Sequence, residues 1–384
     1  MKRSVDRILT THVGSLPRPA ALLPALRGSA ADREQVRAAV REAVERQVAA
    51  GIDVVSDGEM GKPGFAHYIA DRLTGFQGTA APQPFAPRDL ADFPEVARRV
   101  FTEEDGAEQP RPPMPSNDGP IAYVGQERLA AELDDFAAAL TGRPVAEAFL
   151  PAVSPGSVAM LMGTTWFSNR RDYVYALAEA LAEEYRGIVD RGFVLQVDCP
   201  DLALGRHLRF ADRPLAEFRE VAALHVAALN RALAGIDPER VRVHVCWGNY
   251  PGPHHHDVAL RDILDLIYRI DANGLSIEGA NPRHEHEWAA FVEAPPPAEK
   301  ILIPGVIDSC TNYIEHPEVV AQRIEQYVRA VGRERVIAGV DCGFGTIAGR
   351  SAVAPTVAYA KLAALAEGAR LASARLWDGS GAPA

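Results

Sequence analysis

The sequence predicts an α/β protein of the (β/α)8 TIM barrel class: one domain over residues 1–384, with a Pro-rich insertion after the second strand. Three observations carry that expectation. Short apolar segments recur along the chain, most followed by a stretch of helical spacing, the pattern of a parallel sheet covered on both faces. Polar and metal-ligating residues fall at the C-terminal ends of those segments, where barrel enzymes keep their working groups. No Gly-rich phosphate loop follows any of them, which weakens the runner-up, an open doubly wound sheet.

The elements follow in order. Residues 8–17 read as a strand that ends in the turn Gly14-Ser15-Leu16-Pro17. Residues 33–50 carry Val36, Val40, Val44 and Val48 on one helical stripe, closed by Gly51. Residues 53–59 form a second strand running into Asp57-Gly58-Glu59. From about 78 to 117 the periodicity dissolves among Pro82, Pro84, Pro87, Pro110, Pro112, Pro113 and Pro115, which reads as a long loop excursion. Helical spacing returns at 129–140, a third strand at 146–153 and an amphipathic helix at 173–190. Strand and helix then alternate: 193–198 and 215–234, 241–247 and 258–272, 275–278 and 284–293, 301–307 and 318–331, 336–340 and 356–367.

Of the 384 residues, 47% are hydrophobic and 24% charged, which leaves ample length for a large core. A formal charge of −11 with no dense Lys/Arg run argues against nucleic-acid binding. No apolar run reaches membrane-spanning length, and the N-terminus lacks a signal-peptide core. Four cysteines in so long a chain are no disulfide framework. The expectation is a cytoplasmic protein with reduced thiols and no membrane partner; its exposed barrel helices would allow a homo-oligomer.

The densest chemistry lies in Val241-Arg-Val-His-Val-Cys-Trp-Gly248. Residues i and i+2 of a strand share a face, so His244 and Cys246 project side by side as two zinc ligands would. Glu278 and Cys342, ending two later strands, offer the third and fourth. Further polar residues end or follow the other strands: His12 and Ser15, Asp57 and Glu59, Asp198 and Cys199, Asp308 and Cys310, and Asp341. A buried cysteine is often an inert hydrophobe; the repeated placement at strand ends outweighs that reading. His254-His255-His256 reads as a turn before a helix capped by Asp257. His284 and His286 read as surface residues.

These motifs resemble the cobalamin-independent methionine synthase superfamily, over almost the whole chain. His244-Val-Cys246, Ile277-Glu278 and Asp341-Cys342-Gly343 are similar to its zinc ligands in order and strand placement. Val13-Gly-Ser15-Leu-Pro17 resembles its Gly-Ser-Phe-Pro turn, which holds the amino-acid end of homocysteine. Asp57-Gly-Glu59 and Gln196-Val-Asp198 resemble the segments whose carboxylates meet the substrate amine. Trp166 lies near the place of the aromatic that stacks on the folate pterin, at a different spacing. Two departures stand out. Cys199-Pro200 replaces Glu-Pro, and Asp308-Ser-Cys310 replaces the Asp-x-His of the general acid. The chain also lacks the N-terminal half-barrel of the full-length enzymes.

The resemblance implies a Zn2+-dependent methyl- or alkyltransferase, acting on a small-molecule thiol acceptor and an alkyl donor. The metal ligands would be His244, Cys246, Glu278 and Cys342. Ser15, Glu59, Asp198 and Trp166 would bind substrate, and His12, His316 and Cys310 are the catalytic candidates. A zinc-dependent carbon–sulfur lyase, a thiol–epoxide transferase and a metal-free decarboxylase-like barrel are the alternatives on the same scaffold.

Overall fold

A computed structural model of the chain describes residues 1–27, 33–78, 85–101 and 114–378. The architecture is α/β, with a curved array of parallel strands. They are β1 (Leu9–Thr10), β2 (Val54–Val55), β3 (Glu147–Val153), β4 (Val194–Asp198), β5 (Val241–Val245), β6 (Gly274–Ile277), β7 (Ile301–Pro304) and β8 (Ile337–Ala338). One sheet runs β2-β3-β4-β5-β6-β7 and a second pairs β1 with β8. Single parallel bridges, Thr11 to Val54, Leu302 to Val336 and Gly305 to Gly339, link the two sheets at both seams.

Helices form where the sequence supplies a stripe and a cap. Arg170–Asp190 buries Tyr173, Val174, Leu177, Leu181, Tyr185 and Ile188 at three- and four-residue spacing. Its Asn169 side chain accepts the Asp172 N–H at 2.9 Å. Pro317–Val331 starts on Pro at the first turn and stops at Gly332, whose φ of 87° no β-branched residue would adopt comfortably.

Two sequence expectations are corrected. No long helix follows β5: residues 258–272 hold only a one-turn 3-10 segment, Leu260–Asp262, and the short Leu264–Ile267. The apolar pattern there packs loop against core. The Pro-rich excursion is not all loop, since Arg88–Asp92 and Pro94–Phe101 are helical. Proline at 87 and 94 sits at their starts, where a missing N–H is harmless. Pro82, Pro84, Pro110, Pro112 and Pro113 lie outside the described residues. Two further short helices, Pro155–Leu161 and Gly205–Arg209, follow β3 and β4.

The inner face of the strands is layered. Leu9, Ile301, Ile303 and Ile337 form one buried apolar cluster, and Val54, Phe149 and Val194 another; Met1 packs against both. Arg242, fully buried, lies over the Phe149 ring at 3.5 Å. Its Nε–H donates to Gln196 Oε1 (2.8 Å), and its terminal nitrogens donate to Thr11 Oγ1 (3.0 Å) and the His12 carbonyl (2.6 Å). One guanidinium thus ties β5 to β4 and to the end of β1.

Removing that side chain leaves Gln196 Oε1 and the His12 carbonyl without their donor, beside a void. Arg242→Ala is therefore expected to destabilise the protein by about 3–5 kcal/mol. The urea midpoint of the variant against wild type checks this; a shift within experimental error would contradict it.

Candidate metal centre and substrate pocket

His244 and Cys246 leave the top of β5 on the same inner face. Cys342 arrives from the turn after β8. One His244 ring nitrogen and the sulfurs of Cys246 and Cys342 all lie within 4.8 Å of one another, and all three residues are buried. His244 Nδ1 meets Ser276 Oγ at 3.2 Å, while Nε2 is buried without a hydrogen-bond partner. An orphaned buried nitrogen beside two sulfurs is what a missing cation would leave. A hydrogen bond from the Cys342 thiol, then the neighbouring His244, hold the Cys246 thiol well below the ordinary range. The same bond, together with burial, pushes Cys342 up. A metal ion would displace the protons of both thiols. The donor set, imidazole nitrogen and two thiolates, fits Zn2+.

Glu278 stands beside this cluster and does not join it within 4.8 Å. Its Oε1 accepts the Trp247 N–H and its Oε2 accepts from Asn281 Nδ2, both at 2.9 Å. Burial, then the charges of Cys246 and Asp341, raise its carboxyl well above the usual range. Asp341 builds the turn that carries both Glu278 and Asn281. It accepts the N–H groups of Gly279, Ala280 and Asn281, each at 2.8 Å.

Three buried carboxylates follow β2 and end β4, and of these Asp198 interacts with His244 and Cys246. Glu59 has a left-handed φ of 55°, and the Asp57 carboxylate accepts its N–H at 2.9 Å. Its Oε2 is buried without a hydrogen bond, 3.7 Å from Arg18. Burial raises the Glu59 carboxyl, against the opposing pull of Lys62 and Arg18. Asp198 ends β4 and accepts from Gln196 Nε2 at 2.8 Å. Burial, and the negative charge of Glu59, push it up to about 7. Asp57 is likewise raised to about 7, by burial and then by Glu132. Ser15 packs against the Cys342 turn: a Cβ on Gly343 would come within 1.9 Å of Ser15 Oγ, so only glycine fits there.

The other predicted residues go elsewhere. His12 accepts the Gly14 N–H at Nδ1 (3.1 Å) and pairs with Gln47 Oε1 through Nε2 (2.7 Å). Burial and Arg242 lower it to about 4, so it is neutral and both nitrogens are engaged. His316 is exposed and caps a helix, accepting the Glu318 N–H at 3.1 Å. Trp166 is 58% exposed. Cys310 does line a cavity of about 440 Å3, with Asn249, Tyr250, His254, Asn281 and Glu278. Burial raises its thiol well above the ordinary range.

Two histidine readings are corrected. Asp257 caps no helix; its buried carboxylate pairs with His254 (3.0 Å) and His284 (2.9 Å), and His207 Nδ1 lies 3.1 Å from its other oxygen without a hydrogen bond. His284 is buried rather than on the surface, with its other nitrogen on Glu287 at 2.7 Å. Each ring nitrogen of His254 and His284 faces an oxygen that can only accept. Against burial, these bonds raise both rings to about 9. Sequence reasoning also missed Arg18 and Lys62, the cations behind Glu59, although both follow its motifs by one to three residues.

The chain was compared with known proteins. The family described as cobalamin-independent synthase, catalytic domain, matches residues 123–365. The 5-methyltetrahydropteroyltriglutamate–homocysteine methyltransferase of Streptomyces avermitilis is 27% identical over 88% of this chain, which spans only 39% of that protein. The methionine synthase of Saccharolobus solfataricus is 24% identical, with 94% of each chain covered. The structure of a B12-independent methionine synthase from Shewanella sp. W3-18-1, in complex with selenomethionine, superposes with a TM-score of 0.70 at 20% identity, covering 95% of this chain and 97% of that one.

The raised Asp198 carboxyl has a consequence for stability. The unfolded chain loses this proton near 3.8 and the folded one near 7. Between those values deprotonation favours the unfolded state, so stability falls as pH rises through the window and stays lower above it. Asp198→Asn removes the effect. Its stability relative to wild type is expected to grow from pH 4 to pH 8 by as much as about 4 kcal/mol. Urea unfolding at both pH values measures it; a pH-independent difference would contradict the assignment.

Proposed function

The chain belongs to the cobalamin-independent synthase catalytic-domain family, and on that premise we propose that it is a zinc-dependent transferase moving a methyl or larger alkyl group onto the sulfur of a small amino-acid thiol. The observation that carries this reading is the buried set of His244, Cys246 and Cys342, with the unpartnered Nε2 of His244 among them. These three would hold the zinc, with Glu278 as the adjacent fourth group. When bound, the metal supplies the Lewis acidity that keeps a thiol deprotonated at neutral pH. The names of the relatives point the same way: one transfers methyl to homocysteine and the other is a methionine synthase.

The chain's own residues do the rest. Glu59 and Asp198 present two carboxylates, one with a buried oxygen free of hydrogen bonds, to the ammonium of the acceptor. That charge pairing relieves the cost of burying them. Ser15, packed on the Cys342 turn, orients the acceptor's polar end. The cavity beyond Glu278 receives the alkyl donor. Of the three catalytic candidates, Cys310 is the one in the cavity wall and keeps its proton at neutral pH. We assign it delivery of whatever small share of a proton the departing group needs; His12 and His316 act on the fold. Positioning the thiol in line with the alkyl carbon supplies much of the rate.

We also read the two sheets and their three bridges as one closed (β/α)8 barrel over residues 1–384, interrupted by the excursion at 78–117. The four unpaired cysteines suit a reducing, cytoplasmic setting. No helix among the described residues is long and apolar enough to cross a membrane.

Elemental analysis of wild type and Cys342→Ser side by side tests the centre. About one zinc per chain is expected in the wild type and little in the variant, with alkyl transfer to the thiol lost in parallel. Full activity in a metal-free variant would sink the proposal. For the acceptor pocket, Glu59→Gln is expected to raise the KM of the amino thiol roughly 10- to 100-fold. An unchanged KM would take Glu59 out of the pocket.

A further inference from the structure

The short helix Arg88–Asp92 is fastened to the loop after β5 at two points. Asp89 accepts from the Tyr250 hydroxyl and from the His254 backbone N–H, both at 2.8 Å. At the helix end, Asp92 Oδ2 takes His256 Nε2 at 2.7 Å and His255 Nε2 at 3.1 Å. The first contact is buried and self-sufficient. The second is exposed and brings three ligand types together: the candidate atoms of Asp92, His255 and His256 all lie within 4.8 Å of one another. Nothing in the transfer reaction uses them.

Consecutive residues of an extended chain point to opposite sides. His255 and His256 instead lie side by side, ring centroids 4.2 Å apart, because the chain turns at His254 with φ 55°. That conformation is uncommon for a non-glycine residue. Its imidazole is held in place by Asp257 Oδ2 and the Tyr250 carbonyl, each at 3.0 Å. On the far side, Phe93 packs edge-on against the His255 ring, centroids 5.4 Å apart. The two imidazoles are thus aimed from both flanks at one carboxylate.

We propose that Asp92, His255 and His256 form a second, exchangeable binding site for a divalent transition metal. Two imidazoles and a carboxylate on one face, with the other face open to water, suit Zn2+, Co2+ or Ni2+ and not the hard cations Mg2+ and Ca2+. The site crosslinks the excursion helix to the loop whose residues 248–254 wall the cavity. Loading it stiffens that wall. It shares no residue with the buried centre, so the two sites load independently.

The test is a Zn2+ titration of the untagged protein, already carrying whatever metal it holds tightly, by calorimetry with equilibrium dialysis. Wild type and Cys342→Ser are both expected to take up about one further, exchangeable zinc per chain. His255→Ala/His256→Ala is expected to bind it at least about 100-fold more weakly. Asp92→Asn, which keeps the size and a hydrogen-bonding oxygen, should weaken it too. Amide exchange over residues 88–92 and 250–257 should slow on loading in wild type and in Cys342→Ser, and not in the double-histidine variant. Equal uptake and affinity in wild type and the double-histidine variant would overturn the proposal, as would displacement of the zinc by millimolar Mg2+. Loss of zinc from Cys342→Ser with the exchangeable site intact would separate this result from that of the buried centre.

Discussion

Asp198, His244 and Ser276 are register partners across three adjacent parallel strands, and one layer below them Gln196, Arg242 and Gly274 are partners too. Side chains alternate along a strand, so a slip of one residue would turn this whole set away from the interior. Arg242 makes the slip expensive. Its Nε–H takes the oxygen of Gln196, which leaves the Gln196 amide nitrogen as the donor to Asp198. The direction of that relay is forced by the donor-only guanidinium. A buried cation in the lower layer therefore orients a carboxylate in the upper one, and the register that satisfies Arg242 is the register that aims His244 and Cys246 at Cys342.

Above that layer negative groups outnumber positive ones. Asp57 and Asp198 are both raised to about 7, and Glu59 and Glu278 are raised as well. Burial is the leading cause in each case. Arg18 and Lys62 offset only the Glu59 side. A site like this gains stability from whatever cation enters it. Two entries are geometrically distinct: the sulfurs and His244 for a metal, and the open oxygen of Glu59 for an ammonium. On the proposed reading, the instability stored in the free protein is the source of affinity for both.

The strand ends were legible in the sequence because period-two alternation puts a polar residue at the end of an apolar run only where it faces the interior. His244, Cys246, Asp198, Glu59 and Cys342 stood out for that reason. What failed was any inference about partners. Asp257 has the look of a cap, and only the fold shows three histidines converging on it from residues 207, 254 and 284. His284 reads as surface from its charged neighbours, yet Glu287 one turn on and Asp257 from another loop neutralise it inside. His12 sits at a strand end like the candidate site residues, but Gln47 on the helix that follows claims its ring. The missing long helix after β5 had the right apolar content and no capping or stripe strong enough to hold it.

The two halves of the site are built on different materials. The side proposed for the acceptor is made of strand ends and their first turns, held by ladder bonds and by close contacts such as Gly343 on Ser15. The donor side is made of loops after β5, β6 and β7, joined by side chains: Asn249 accepts from both Ser309 and Cys310. Loops can change sequence and length without disturbing the ladder, whereas the ladder cannot move without parting His244 and Cys246 from Cys342. A chain of this fold can therefore keep its thiol chemistry while its electrophile changes. Cys310, with Asn249 on its sulfur, stands in that loop wall. A thiol with a raised pKa is a weak proton donor. The donor that suits such a wall is one whose departing group needs little help from an acid.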